Sequence, residues 1–157
     1  MTRHVWAMGL AALLAGCAGV AKRNVDPTIL QMRLVANEAG PDTEAMTLRT
    51  ARGEEAIHVQ KAVLLNAADV RRAWVDAKSA APGTHSIGLA FNKQGAEKFE
   101  AVTTANIGRR LAIVVDGKVL SAPVIRSAIR DRAQIAGAFT LEEARAMARK
   151  ISAAAGG

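Results

Sequence analysis

Side-chain catalysis needs a nucleophile beside a base, carboxylates held in unlike surroundings, or metal ligands at set spacings. Residues suited to such work are sparse here. The chain has three histidines and one cysteine. His4 lies near the start, His58 in an alternating stretch and His85 at a loop edge, and neither of the last two stands in a metal-ligand motif. Ser121 is a nucleophile by type, but it lacks a Gly-x-Ser-x-Gly turn and has no histidine near it in sequence. Glu142 and Glu143 suit the N-terminal end of a helix dipole better than an acid–base pair. No Walker or dinucleotide glycine pattern occurs. The residue types therefore predict no enzymatic activity, no metal site and no cofactor.

Cys17 is the residue whose setting calls for covalent chemistry. It follows Arg3, an apolar run from Val5 to Leu14 and two small residues, the layout of a secretory signal. The run is shorter than the roughly 20 residues that span a bilayer. "LAGC", residues 14–17, resembles the lipobox of bacterial lipoproteins. That resemblance implies removal of residues 1–16 and acylation of Cys17. Two or more acyl chains anchor stably where one does not, at about 0.8 kcal/mol per buried methylene. By the same analogy, Ala18 after the cysteine favours the outer membrane of a Gram-negative envelope. Residues 17–28 then read as the lipidated Cys and a tether. Lys22 and Arg23 in that tether can rest on anionic head groups. With its one cysteine acylated, the chain has no thiol left for a disulfide.

Residues 29–155 read as one folded domain. Half of the 157 residues are hydrophobic but only 3% are aromatic, so the core must be aliphatic. Leu30, Met32 and Leu34 alternate with Gln31 and Arg33, as in a half-buried strand. Strands are also predicted for "EAMTLRT", "AIHVQKAVLL", "HSIGLAFN", "LAIVV" and "AQIAGAF". Residues 67–77 are ambiguous, and Ala68, Val70, Ala73 and Trp74 fit a short helix. The spacing of Ala96, Phe99 and Val102 predicts a helix over 93–108, stopped by Gly108. Thr140 and Glu143 form a capping box for a second helix carrying Ala144, Met147, Ala148 and Ile151 on one face. Asp116-Gly117 predicts a two-residue hairpin with positive φ at both positions. Pro123 cannot donate a ladder bond, so the return strand is expected to be an edge or a bulge. The fold class is α+β: a mostly antiparallel sheet with two amphipathic helices packed on one face.

The stretches "FNKQGAEKFEAVTTANIGRRLAIVVDGKVLSAPVI" (residues 91–125) and "IAGAFTLEEARAMARKI" (135–151) resemble SecD and SecDF, the membrane proteins that assist Sec-dependent export. The similar part is the head subdomain of their first periplasmic domain. "LQMRLVANE", residues 30–38, is similar to the start of that periplasmic region. The resemblance implies contact with emerging polypeptide and with Sec translocon components. The family's proton-conducting part lies in transmembrane helices, and no later segment here is apolar enough to be one. Driven movement is therefore not carried over.

The net charge of +7 is gathered in Arg71-Arg72, Arg109-Arg110, Arg126 with Arg130 and Arg132, and Arg145 with Arg149 and Lys150. Solvated faces explain most of it, and Arg149 and Lys150 suit a helix C-terminus. An exported protein short of aromatic stacking platforms is not expected to bind nucleic acid. Leu120, Ser121, Pro123 and Arg126, on the Pro-broken return strand, are the candidate polypeptide-binding residues. Two function classes follow. One is a lipid-anchored binding module facing the periplasm. The other is an envelope structural lipoprotein that keeps the fold without a transport role.

Overall fold

Alternation in β1 (Leu30–Ala36) sends its two faces into two different cores. The computed structural model describes residues 25–50, 52–76 and 84–156. The predicted signal, the tether up to residue 24 and Cys17 lie outside the described residues.

After β1 come β2 (Thr43–Thr50), β3 (Gly53–Gln60), the short β4 (Leu65–Asn66), a 3-10 turn (Ala67–Asp69), β5 (Val70–Asp76) and β6 (His85–Phe91). Helix α1 (Lys93–Ala105), β7 (Leu111–Val115), β8 (Lys118–Ser121), β9 (Arg132–Phe139) and helix α2 (Leu141–Ala154) complete the order.

The strands form two sheets. The larger has the order β3-β2-β8-β7-β1-β4 and is antiparallel except for the β2–β8 pair. β1 also pairs with β3, through Val35 with Val59 and Ala36 with His58. Strands β1, β3, β2, β8 and β7 thus close into a ring. Leu48, Ile57, Val59, Ala112, Val114 and Val119 fill it. The smaller sheet is antiparallel, in the order β5-β6-β9.

The second core joins the outer face of the ring to the smaller sheet and both helices. Leu30, Met32 and Leu34 of β1 and Leu111, Ile113 and Val115 of β7 meet Ile87, Leu89, Ile135, Phe99, Ala148 and Ile151 there. Phe91 and Phe99 pack with their rings tilted at 41°, 4.6 Å between centroids. Few aromatics are needed because Ala on α2 lets that helix approach the sheet closely. The α+β class holds, with mostly antiparallel sheets and two helices, but the strands divide into two sheets rather than one. The reason is visible in β7, whose five residues are all buried. A strand apolar on both faces needs a layer on each side.

Other expectations are refined. Residues 67–76 are not a short helix, and Ala77, the last of the predicted stretch, lies outside the described residues. Asn66 caps one 3-10 turn, in which Asp69 reaches back to the Asn66 N–H at 3.0 Å, and the chain then extends. Ala73 turns to the core while Arg72 and Trp74 turn away, a period of two. The predicted strand "AIHVQKAVLL" stops at Gln60. Helix α1 ends at Ala105, and Gly108, with φ +87°, lies beyond its Asn106 C-cap. The capping box of Thr140 and Glu143 closes as predicted, and α1 has a cap as well, Asn92, which accepts the Gly95 N–H. Helix α2 runs on to Ala154, so Arg149 and Lys150 sit in its body rather than at its C-terminus. Arg33 was expected on a solvent face and is instead only 6% exposed. Its Nε donates to the Gln60 carbonyl at 2.5 Å and its guanidinium to Glu44 Oε1 at 2.5 Å.

Candidate interaction surface

Asp116 and Gly117 have φ of 53° and 74°, so the hairpin is the predicted type with both turn residues left-handed. Lys150 of α2 donates to Asp116 Oδ2 at 2.6 Å and ties the turn to the helix. On the return strand, the register with β7 slips between Ile113 and Val114, so a bulge forms at Leu120, and the strand ends at Ser121 before Pro123, where an edge or bulge was expected.

The candidate residues do not make a strand edge. β8 has β7 on one side and β2 on the other, with Leu48 opposite Val119. Its backbone is therefore not open to an added strand, because both sides are taken. Leu120 is half-buried against the second core, and Ser121 is half-buried opposite Ile113. Pro123 is exposed, and its carbonyl accepts the Leu111 N–H at 2.9 Å. Arg126 is exposed on the segment leading to β9. That segment is held by the Ile125 N–H on the Arg109 carbonyl and by Thr103 Oγ1, which accepts the Ile129 N–H at 2.9 Å. What this region presents to solvent is a braced connection with Val124 and Ile129 exposed; Ile107, just past the C-cap of α1, is exposed as well.

The open edges are elsewhere. β5 and β9 each have a strand neighbour on one side only. Between β5 and α2 runs a groove of about 270 Å³, lined by Ala73, Trp74, Val75, Arg145, Ala148, Arg149 and Ser152. The Trp74 indole lies across Gly88 on the central strand, where a Cβ would come within 2.3 Å of Trp74 Cε2. The Arg72 guanidinium stands 5.0 Å from the indole centroid. A second cavity of about 300 Å³ opens beside Arg33, Glu44 and Met46 at the mouth of the ring.

Of the basic groups, Arg110 is held by Glu55 at 2.6 Å, Lys150 by Asp116, and Arg130 by Glu100. The Arg110 guanidinium holds the Glu55 carboxyl below the usual glutamate value. Hydrogen bonds from the Thr140 N–H and hydroxyl do the same for Glu143. His58 lies within β3. His85 opens β6, and its Nδ1 is buried without a hydrogen-bond partner among the described residues.

A family model for the SecDF P1 head subdomain matches residues 43–155, from β2 through α2. The chain belongs to that family. It is 44% identical to the SecD protein translocase subunit of Aquifex aeolicus over 108 residues, which is 69% of this chain and 21% of that protein. It is 54% identical to Thermus thermophilus SecDF over 63 residues, 40% of this chain and 9% of the relative. A solved SecDF structure, described as a membrane component that enhances protein export, superposes with a TM-score of 0.62 at 31% identity. It covers 81% of this chain and 63% of the solved one. The chain spans about a fifth of the length of the first curated relatives it matches. Among the described residues no helix is long and apolar enough to cross a membrane.

The head-subdomain match begins after β1, so "LQMRLVANE" is joined to the family part through pairing rather than through the match itself. The β5–α2 groove escaped sequence reading. The run that contains this edge strand suits either period, and of the arginines beside it Arg149 suits a helix C-terminus and Arg145 a solvated face.

Proposed function

We propose that this chain is a lipid-anchored extracytoplasmic binding module that contacts polypeptide during or after Sec-dependent export. It binds and releases at equilibrium, with no enzymatic activity and no proton-driven step of its own. Acylated Cys17 holds it in the cell envelope facing the periplasm, in the outer membrane of a Gram-negative host, close enough to meet translocon components or exported chains.

The observation that carries the reading is the head-subdomain match across residues 43–155, joined to the "LAGC" sequence at residues 14–17. Relatives described as protein translocase subunits support the export link. The net charge of +7 supports contact with anionic segments or surfaces.

Titration of the full chain in detergent micelles against an unfolded secretory protein tests the contact. Weak, salt-sensitive binding is the expected result. No binding at low salt overturns it and leaves an envelope structural role as the better account. The anchor is tested separately. Cys17→Ser is expected to release the protein from membranes or stall its processing, and unchanged membrane association with unchanged mass refutes acylation.

A further inference from the structure

Arg145 and Arg149 stand one turn apart on the exposed side of α2. The described residues include every Asp and Glu of the chain, yet the ion pairs among them engage only Arg33, Arg49, Lys98, Arg110, Arg130 and Lys150. Both guanidiniums therefore face the groove unneutralised. Its floor is Ala73, Ala148 and Ser152, and its far wall is Trp74 and Val75.

β5 lends backbone to the same groove. Ser152 Oγ accepts the Ala73 N–H at 3.1 Å and donates to the Ala73 carbonyl at 3.3 Å, so the hydroxyl closes one outward-facing backbone pair of this edge strand. Backbone direction repeats every two residues along an antiparallel strand. The N–H and C=O of Val75, which also lines the groove, face the same way. Residues i and i+4 of a helix are about 6 Å apart along its axis. Alternate residues of an extended chain are about 6.6 Å apart. Carboxylates at alternate positions of an extended peptide thus match the Arg145–Arg149 step.

We propose that the groove between β5 and α2 docks an extended polypeptide segment bearing acidic side chains at alternate positions. Its carboxylates lie on Arg145 and Arg149, an intervening apolar side chain lies against Trp74, and its backbone reaches the Val75 edge. The proposal rests on the polypeptide-contact reading and names the site and partner class for it. Residues 1–24 carry no Asp or Glu, so the chain's own leader cannot supply the charge. A lipid phosphate satisfies the guanidiniums but offers no pairing to the strand edge.

The test uses the full chain in detergent micelles and three labelled peptides read by fluorescence anisotropy. One carries Glu at alternate positions with Val and Thr between, one has the same composition with the Glu residues contiguous, and one has Lys in place of Glu. The alternating acidic peptide is expected to bind best at low salt. Arg145→Glu with Arg149→Glu is expected to raise its Kd about tenfold or more. Lys93→Glu, which reverses one charge on exposed α1 away from the groove, is expected to leave it unchanged. Val75→Pro, which removes an outward N–H without touching the ladder to β6, is expected to weaken binding less.

Equal binding of all three peptides, or no effect of the double variant, overturns the groove. If an unfolded secretory protein still binds the double variant as tightly as the parent, the groove assignment fails while the polypeptide-contact reading stands. If neither peptide nor unfolded protein binds the parent, both fall. Loss of binding to phosphatidylglycerol vesicles in the double variant, with peptide binding unchanged, overturns the proposal in favour of a lipid-facing surface.

Discussion

In the ring every strand has a neighbour on both sides, whereas β5 and β9 of the smaller sheet have a neighbour on one side only. The ring holds the most legible part of the sequence, residues 109–125, and uses it to close on itself. The smaller sheet keeps two edges and manages them with side chains. Ser152 covers part of β5, Trp74 folds over Gly88, and Gln134 Nε2 bridges Ser86 Oγ at 2.7 Å and Asp76 Oδ2 at 3.2 Å on the outward face. A closed unit offers little backbone to a partner, and an open one offers a strip of it. The difference makes the hairpin part of a closed unit and leaves unpaired strand edges at β5 and β9.

If the two units share one core, a cavity in that core should weaken both together. Leu89→Ala, at a fully buried position between the sheets, is expected to cost about 2–5 kcal/mol. Urea unfolding followed by far-ultraviolet circular dichroism and by tryptophan fluorescence is expected to give one coincident transition. Two separated transitions would break the comparison, making the ring and the smaller sheet independent folding units.

A glycine in each unit sharpens the contrast, because the two are required for different reasons. Gly88→Ala forces the indole off the sheet and is expected to cost about 1–3 kcal/mol. The displaced Trp74 should also shift its emission to the red. Gly117→Val strains the hairpin at φ 74° and is expected to cost about 1 kcal/mol or more without moving the emission. Lys118→Gln beside it is expected to be nearly silent. An unshifted spectrum in Gly88→Ala would show that the indole does not lie where Gly88 makes room for it. Equal effects of Gly117→Val and Lys118→Gln would count against the turn.

Local signals carried most of these elements. The two helices, the capping box and the Asp116-Gly117 turn were readable because each is decided within a few residues. What could not be read is decided by partners far away in sequence. Arg33 looks like a solvent residue until β1 meets β3, and burial follows from closure of the ring. β8 looks like an edge because Pro123 breaks it, yet β2 arrives in parallel from some seventy residues earlier, with Leu48 opposite Val119. Residues 67–77 carry apolar side chains at spacings that suit either period, and the partner strand β6 settles the matter. The family resemblance gave the subdomain correctly but could not say which strand would be left open.

The smallest effects concern the exposed carboxylates, one in each unit. Glu55 of β3 meets the Arg110 guanidinium through both oxygens, at 2.6 and 3.3 Å. Glu143 of α2 accepts the Thr140 N–H at 2.9 Å and its hydroxyl at 3.0 Å. Both carboxyls titrate below the ordinary glutamate value of 4.5 in the folded state. A depressed folded value means that the unfolded chain binds the proton more readily. Each contribution is therefore fully present above the unfolded value and lost as pH falls through the lower folded one. The two differ in cause, which gives the test. The Glu55 pair is ionic across the ring surface and should fade with added salt. The Glu143 bonds are a cap and should persist. Measured between pH 5 and pH 3, Glu55→Gln is expected to flatten the stability profile at low salt but hardly at all near 1 M salt. Glu143→Gln is expected to flatten it at both. A salt-dependent Glu143 effect would mean that the helix dipole and its surrounding charges, rather than the capping hydrogen bonds, hold that carboxylate ionised.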